Sequence, residues 1–475
     1  MPKIALILSL VFSTYLIVRD CRRRRDVSIA IWIPTIFVMI LSSRPASLWL
    51  SGRAARLGIE NANEQATSMV DQLFYLISLG SAFVIASARG MKWGKLFSSN
   101  RAIMLFYLYF ALSVLWSSDP TGSTKRLIKD FGVISLAALI FTEKDPLQAL
   151  RAVYLRSAYL LLPLSVVFIK WFPGLGRAYG SGGEMNFTGV TTQKNSLGEV
   201  VMIFTLFLIW EHLETRSVTK KSGVMRLPWF LIILLLNGAW LLNISQSKSG
   251  LVGSAVGIFL CVRGGRLLSR FVNRLAMAGA LSLPIVVFFA QKFSEVIAPL
   301  LHALGRDMTF TGRSEIWTHI TLETVNPIYG SGFWNFWGGP GGTRVNEAMR
   351  GVIPNAHNGY IDMYLDGGFI ALVILCFMLI VCGQRIGKFL RVGRDPTHFH
   401  RVRFAILIIL IIYNVSESTY GRMGPIWFTG LVMMWNFPLK STMAKVQSPS
   451  QRRTDPVFDQ VPAAAMNRSM DQISA

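Results

Sequence analysis

The sequence predicts an all-α polytopic membrane protein of about 12–13 transmembrane helices with one long folded loop on the outer side. Three observations carry this expectation. Hydrophobic residues make up 52% of the 475 residues and charged residues only 15%, less charge than a soluble domain of this length carries. Apolar runs of bilayer-crossing length recur from end to end. The basic residues are sorted between alternate connections, as they are in membrane proteins.

The elements follow in order. The first apolar run, 4–18, ends at Arg19 and the block Arg22, Arg23, Arg24 and Arg25, with no small-residue cleavage site, so it reads as a retained span. Further spans start near Ser28, Val70, Ala102, Phe131, Ala152, Ser196, Pro228, Ser249, Leu275, Ile361, Val402 and Gly424. One set of connections is basic: it carries Arg89, Lys92 and Lys95, then Lys144, then Lys220 and Lys221, then Arg266 and Arg270, then Arg385 to Arg403, and the tail from Lys440. The alternate set is poorer in Lys and Arg. The positive-inside rule puts the basic set in the cytoplasm, the N-terminus outside and the tail inside. The chain thus divides into a helix bundle (1–290), a long periplasmic loop (291–360), C-terminal transmembrane helices (361–439) and a polar, disordered cytoplasmic tail (440–475).

The net charge of +23 follows from basic cytoplasmic loops, and no nucleic-acid partner is expected. The cysteines Cys21, Cys261, Cys376 and Cys382 lack metal-site spacing and lie in spans or at their basic ends, so neither a disulfide nor a metal cluster is expected. No phosphate-binding Gly-x-x-x-x-Gly-Lys loop, His-Glu-x-x-His pair or Asp-x-Asp pair is present, and no cofactor is expected. His398 and His400 fall in a basic cytoplasmic loop and read as solvated.

The unusual polar residues gather on the outer side: Lys194-Asn195, Gln246-Ser247-Lys248, Thr311-Gly312-Arg313, His357-Asn358, Glu417 and Arg422. The topology was set by other residues, so this shared side is separate evidence of a site. Thr311-Gly312-Arg313 reads as a helix start that puts Arg313 in the first turn. A cation is disfavoured there unless an anion is shared between it and the free backbone N–H groups. A phosphate suits the forked donors of Arg; the plainer reading is an Arg reaching to lipid headgroups. Lys248 and Lys194 are further cations for the same anion, or ordinary residues flanking a span. His357 precedes Asn358, the expected cap of the next span, whose positive end favours a neutral imidazole able to act as a general base. The alternative is a structural loop histidine. Asp362 and Asp366 share a face of the following helix, and a carboxylate inside a span is a functional candidate.

At these motifs the chain resembles the O-antigen ligase and polysaccharide polymerase superfamily over most of its length, most strongly from about Gly189 to Gly368. The matching pieces are Trp116-Ser117-Ser118-Asp119-Pro120, Lys194-Asn195-Ser196-Leu197-Gly198, Ser245-Gln246-Ser247-Lys248-Ser249-Gly250, Thr311-Gly312-Arg313, Gly330-Ser331-Gly332, and His357 with Gly367 after it. The resemblance implies a bacterial inner-membrane enzyme whose active site faces the periplasm. Such enzymes transfer a glycan from undecaprenyl diphosphate to an acceptor hydroxyl with inversion, without metal or nucleotide. It gives Arg313 a diphosphate-holding and catalytic role and His357 the role of assisting the acceptor. Lys248 and Lys194 add positive charge, and Asn358, Asp362 and Glu417 support the site. Lys248 stands where ligases commonly have an arginine. With the compact outer loop and the Trp-Ser-Ser-Asp-Pro segment, this resembles the exopolysaccharide polymerase branch. The expected function is therefore polymerisation of lipid-linked repeat units, the alternative being ligation of finished chains to lipid A core. A flippase and a chain-length regulator of the export system are the expected partners besides the lipid-linked glycan and its acceptor. A transporter would show internal repeats and charges at mid-membrane, whereas here the notable charges gather at the outer ends.

Overall fold

The computed structural model describes residues 1–51, 68–179, 183–219, 228–263, 313–321, 323, 325–392 and 397–437. Helices occupy every position expected from the apolar runs except that near Leu275, which lies outside the described residues, as do Thr311, Gly312 and the tail. They are α1 (Pro2–Arg23), α2 (Trp32–Leu41), α3 (Met69–Ala88), α4 (Arg101–Ser113), α5 (Pro120–Phe141), α6 (Pro146–Trp171), α7 (Lys194–Thr219), α8 (Trp229–Ser245) and α9 (Lys248–Arg263). After them come α10 (Arg313–Thr321), the short α11 (Pro340–Ala348), α12 (Gly359–Val392), α13 (Phe399–Tyr413) and α14 (Pro425–Met434). A small antiparallel ribbon, β1 (Arg177–Tyr179) with β2 (Met185–Phe187), is the only sheet among the described residues. Helices Pro2–Arg23, Met69–Ala88, Pro146–Trp171, Lys194–Arg216 and Gly359–Leu390 are long and apolar enough to cross a membrane, and shorter apolar helices accompany them. The chain is an all-α, multi-pass membrane protein.

Helix α6 is almost wholly buried, its Arg151 and Arg156 included, whereas α1 keeps most of its surface exposed, as a lipid-facing helix should. Around α6 the rings interlock: Tyr154 stacks on Phe207 of α7 with centroids 3.8 Å apart. At one end of the bundle buried charges are paired rather than solvated. Arg156 Nε donates to Asp20 Oδ2 at 2.9 Å and Arg24 Nη2 to Glu211 Oε2 at 2.7 Å. His400, expected in solvent, is buried and stacked on Phe389 with centroids 4.4 Å apart, because α13 begins one residue before it.

Two backbone features set up the other end. Helices α7 and α9 approach closely: a Cβ on Gly250 would come within 2.9 Å of the Gly198 backbone, and one on Gly198 would meet the Ser247 side chain. Gly253 and Gly257 continue this small face against Met202, Leu206 and Ile409. Because Gly198 and Gly250 each lie within about a turn of a helix start, this contact brings the starts of α7 and α9, with Lys194 and Lys248, to one end of the bundle. The second feature is a break in α12 at Gly368, which has φ +63. The Phe369 and Ile370 N–H groups there donate to the carbonyls of Pro327 and Ile328, at 2.8 and 3.2 Å. The loop in turn donates from Ser331 and Gly332 N–H to the carbonyls of Leu365 and Asp366, at 3.0 and 2.8 Å.

Candidate active site

The connection between α13 and α14, residues 414–424, is the hub of that end. Asn414 knots it. Its Oδ1 accepts from the Thr419 and Tyr420 N–H groups at 2.9 and 3.1 Å, and its Nδ2 donates to Thr419 Oγ1 at 2.7 Å. Gly359 N–H, at the start of α12, donates to the Asn414 and Glu417 carbonyls at 2.9 and 3.0 Å. The Ser416 hydroxyl meets that of Ser249, next to Lys248, at 2.8 Å.

On this knotted turn Glu417 joins three other segments. Its Oε1 accepts from Asn195 Nδ2 of α7 at 2.9 Å and from Arg313 Nη2 of α10 at 3.0 Å. Its Oε2 lies 3.6 Å from His357 Nδ1. Arg313 Nη1 also donates to the Ser416 carbonyl. One carboxylate thus holds a guanidinium with one oxygen and faces an imidazole with the other. The His357 side chain remains 30% exposed, enough for its ring to meet a substrate. His357 has φ +50, and its own backbone N–H donates to Asn355 Oδ1 at 2.9 Å, which holds this left-handed turn.

Each residue singled out in the sequence can now be placed. Asn358 caps α12 as expected, accepting from the Tyr360 and Ile361 N–H groups at 3.0 and 3.2 Å, and ties back to the Val415 carbonyl at 3.1 Å. Arg313 opens α10 as expected, but Glu417 supplies a counter-charge from within the protein, so its position does not by itself call for a bound anion. Two of its five N–H donors are committed to these contacts. Lys248 is exposed and makes no ion pair among the described residues; Lys194 is half-buried and likewise unpaired among them. Asp362, for which the sequence showed no partner, is fully buried and accepts from Trp337 Nε1 at 2.7 Å and from the Ser418 hydroxyl, with Arg422 Nη2 at 3.0 Å. It is a tie between three segments.

Sequence reasoning passed over Glu199, whose Oε1 accepts from the Ile426 N–H at 2.8 Å and so caps α14. The available signal was a carboxylate four residues after Asn195, on the same helix face. The Trp-Ser-Ser-Asp-Pro segment also acquires a function here, as a clamp for the loop before α11. Asp119 caps α5 through the Gly122 N–H at 2.9 Å. Trp116 Nε1, Ser123 Oγ and Arg126 Nη1 donate to the carbonyls of Tyr329, Phe333 and Trp334, at 3.3, 2.8 and 3.0 Å.

Arg313 and Arg422 are paired with carboxylates at this end, whereas Lys194 and Lys248 make no ion pair among the described residues. Helices α7, α9, α12 and α14 all begin here, so their partial positive ends add to Lys194, Lys248 and Arg313. The arrangement can neutralise a developing anion and present an imidazole backed by a carboxylate.

Residues 230–376, from α8 into α12, match the family model described as O-antigen ligase; they include Lys248, Arg313 and His357 but neither Lys194 nor Glu417. The chain is also 24% identical, over 378 residues, to the exopolysaccharide production protein ExoQ of Rhizobium meliloti, an alignment covering 75% of this chain and 79% of that one. Part of this multi-pass helical bundle is thus similar to the O-antigen ligase family, and most of its length to an exopolysaccharide production protein.

Proposed function

We propose that the protein polymerises undecaprenyl-diphosphate-linked oligosaccharide repeat units for an exopolysaccharide, by metal-independent inverting glycosyl transfer at the periplasmic face of the bacterial inner membrane. The observation that carries this reading is Glu417, bound to Arg313 on one oxygen and facing His357 on the other. In the reaction an acceptor hydroxyl attacks the anomeric carbon, the carbon–oxygen bond to the diphosphate breaks, and its electron pair leaves with the diphosphate. His357 Nε2 takes the hydroxyl proton as the new bond forms, while Glu417 steadies the ring from the Nδ1 side. Arg313, Lys248 and Lys194 hold the departing negative charge. Similarity to an exopolysaccharide production protein favours an exopolysaccharide product. The O-antigen ligase match keeps a second reading in view, transfer of a finished chain to lipid A core. A deletion strain separates them: loss of high-molecular-weight exopolysaccharide with intact lipopolysaccharide supports polymerisation. Lipid-linked polymer accumulating while lipid A loses its O-antigen supports ligation. This reading also calls for a flippase to supply the donor and a chain-length regulator downstream.

Purified protein given the lipid diphosphate donor is expected to remain active in EDTA and without ATP. A requirement for Mg²⁺ or Mn²⁺ would overturn the metal-independent mechanism. Lys248→Ala is expected to lose most activity and Lys248→Arg to keep a substantial part, since exposed Lys248 acts by its charge and an Arg fork binds phosphate in a different geometry. Full activity in Lys248→Ala would make it an ordinary flanking lysine. Orientation is tested with single cysteines after the four native free cysteines are replaced. Exposed Thr343→Cys on α11 should react with an impermeant thiol reagent in intact cells, and exposed Ser99→Cys only after permeabilisation. The reverse pattern would put the site on the wrong side of the membrane.

A further inference from the structure

Next to the His357–Glu417 pair is a polar cluster that this chemistry leaves unused. Arg422 lies on the same knotted turn as Glu417, and its Nη1 donates at 3.4 Å to the carbonyl of Pro354, shortly before His357. Its guanidinium carbon is 4.8 Å from the centre of the Trp334 ring. Asp366, a turn beyond Asp362, is 1% exposed, and its Oδ1 accepts from the Phe336 N–H at 3.3 Å. Four buried atoms of these residues make no hydrogen bond among the described residues: Asp366 Oδ2, Trp334 Nε1, Arg422 Nε and Arg422 Nη2. The last lies 3.0 Å from Asp362 Oδ2, an ion pair whose angle does not make a hydrogen bond.

Buried polar atoms are normally paired, and leaving one unpaired opposes folding. Here two donors and one acceptor are left over in one place, beside a third donor held only by an ion pair. Trp334 is held there with φ +55, its carbonyl fixed by Arg126 Nη1 at 3.0 Å, so its backbone position is imposed by the clamp. The residues that carry these atoms are not sealed off: Trp334 is half-buried and the Arg422 side chain keeps 13% exposure. What completes these donors and a carboxylate beside an aromatic face is a group that both donates and accepts. A sugar ring offers such hydroxyls on neighbouring carbons, donating to Asp366 and accepting from Trp334 and Arg422.

We infer that Trp334, Asp366 and Arg422 form a subsite for one sugar residue of the substrate, binding its ring hydroxyls beside His357. Its place in catalysis rests on the glycosyl-transfer reading, but its binding chemistry is tested separately. The full-length protein in nanodiscs is titrated with two probes. One is the oligosaccharide repeat released by mild acid from the producing cell's own lipid-linked pool. The other is undecaprenyl diphosphate carrying no sugar. Trp334→Phe keeps a ring beside Arg422 and removes the N–H together with the five-membered ring that carries it; Asp366→Asn removes the charge. Both are expected to weaken oligosaccharide binding about tenfold or more, with undecaprenyl diphosphate binding unchanged. In turnover they should raise KM for the acceptor with little change in kcat. A rise confined to KM for the lipid-linked donor would assign the same hydroxyl contacts to the donor sugar. Wild-type oligosaccharide affinity in both variants overturns the subsite and leaves ordered water as the completing group. Should Asp366→Asn lose both ligands through misfolding, Trp334→Phe decides alone. Failure of the wild type to bind undecaprenyl diphosphate would count against the glycosyl-transfer reading and leave the oligosaccharide result standing.

Discussion

His357→Ala is expected to transfer sugar at least ~100-fold more slowly than wild type while binding undecaprenyl diphosphate nearly normally, the scale on which losing a positioned general base acts. The split follows from geometry. His357 faces Glu417 Oε2 and no cation of the cluster, so it has little to do with holding a diphosphate. Asn358, which caps α12 with its own side chain, keeps the helix start in place when the neighbouring ring is removed. Donor binding is read by thermal shift, because a ligand that binds only the folded state stabilises it. Near-normal turnover in His357→Ala would remove the base from the scheme. A donor affinity that falls along with the rate would show that the ring holds the diphosphate instead.

Arg313→Ala is expected to fail differently, weakening donor binding and slowing turnover together, with a rate loss on the order of 10²–10³. In the proposed mechanism the guanidinium would act on the diphosphate both before and during bond breaking, so both constants should move. Lys in its place restores charge but not the two-pronged hold on Glu417 and the Ser416 carbonyl, so Arg313→Lys should recover only part of the loss. Removing Arg313 also leaves Glu417 with Asn195 and His357 alone, a carboxylate without its guanidinium, and variant folding must be confirmed before rates are compared. Unchanged affinity and unchanged rate in Arg313→Ala would sink the assignment.

The sequence displayed its helices because bilayer-length apolar runs and sorted basic residues are local signals, visible without knowing what packs on what. Asn358 was legible as a cap for the same reason: the cap and the N–H groups it serves are neighbours in the chain. What could not be read was convergence. Arg313 finds its carboxylate 104 residues further on and Asn195 reaches the same one across 222. Both contacts follow from helix crossings such as that of Gly198 with Gly250, which leave no trace in periodicity. Asp362 is the clearest case. A lone carboxylate in an apolar run signalled a function, and its partners Trp337 and Arg422 come from two distant segments. His400 failed in the opposite direction, since a basic neighbourhood in sequence concealed an aromatic one in space.

The break at Gly368 has a consequence for how the protein comes apart. Phe369 and Ile370 donate to carbonyls of the preceding loop, and that loop donates back to Leu365 and Asp366, so helix and loop share one set of backbone bonds. The loop cannot lift away without stripping amide protons of α12 of their acceptors. Amide exchange in the stretch around Gly368 should therefore be as slow, or as fast, as exchange in residues 328–332, the two opening as a single cooperative unit. A segment that looks like a surface excursion in the sequence is bound into the stability of the bundle.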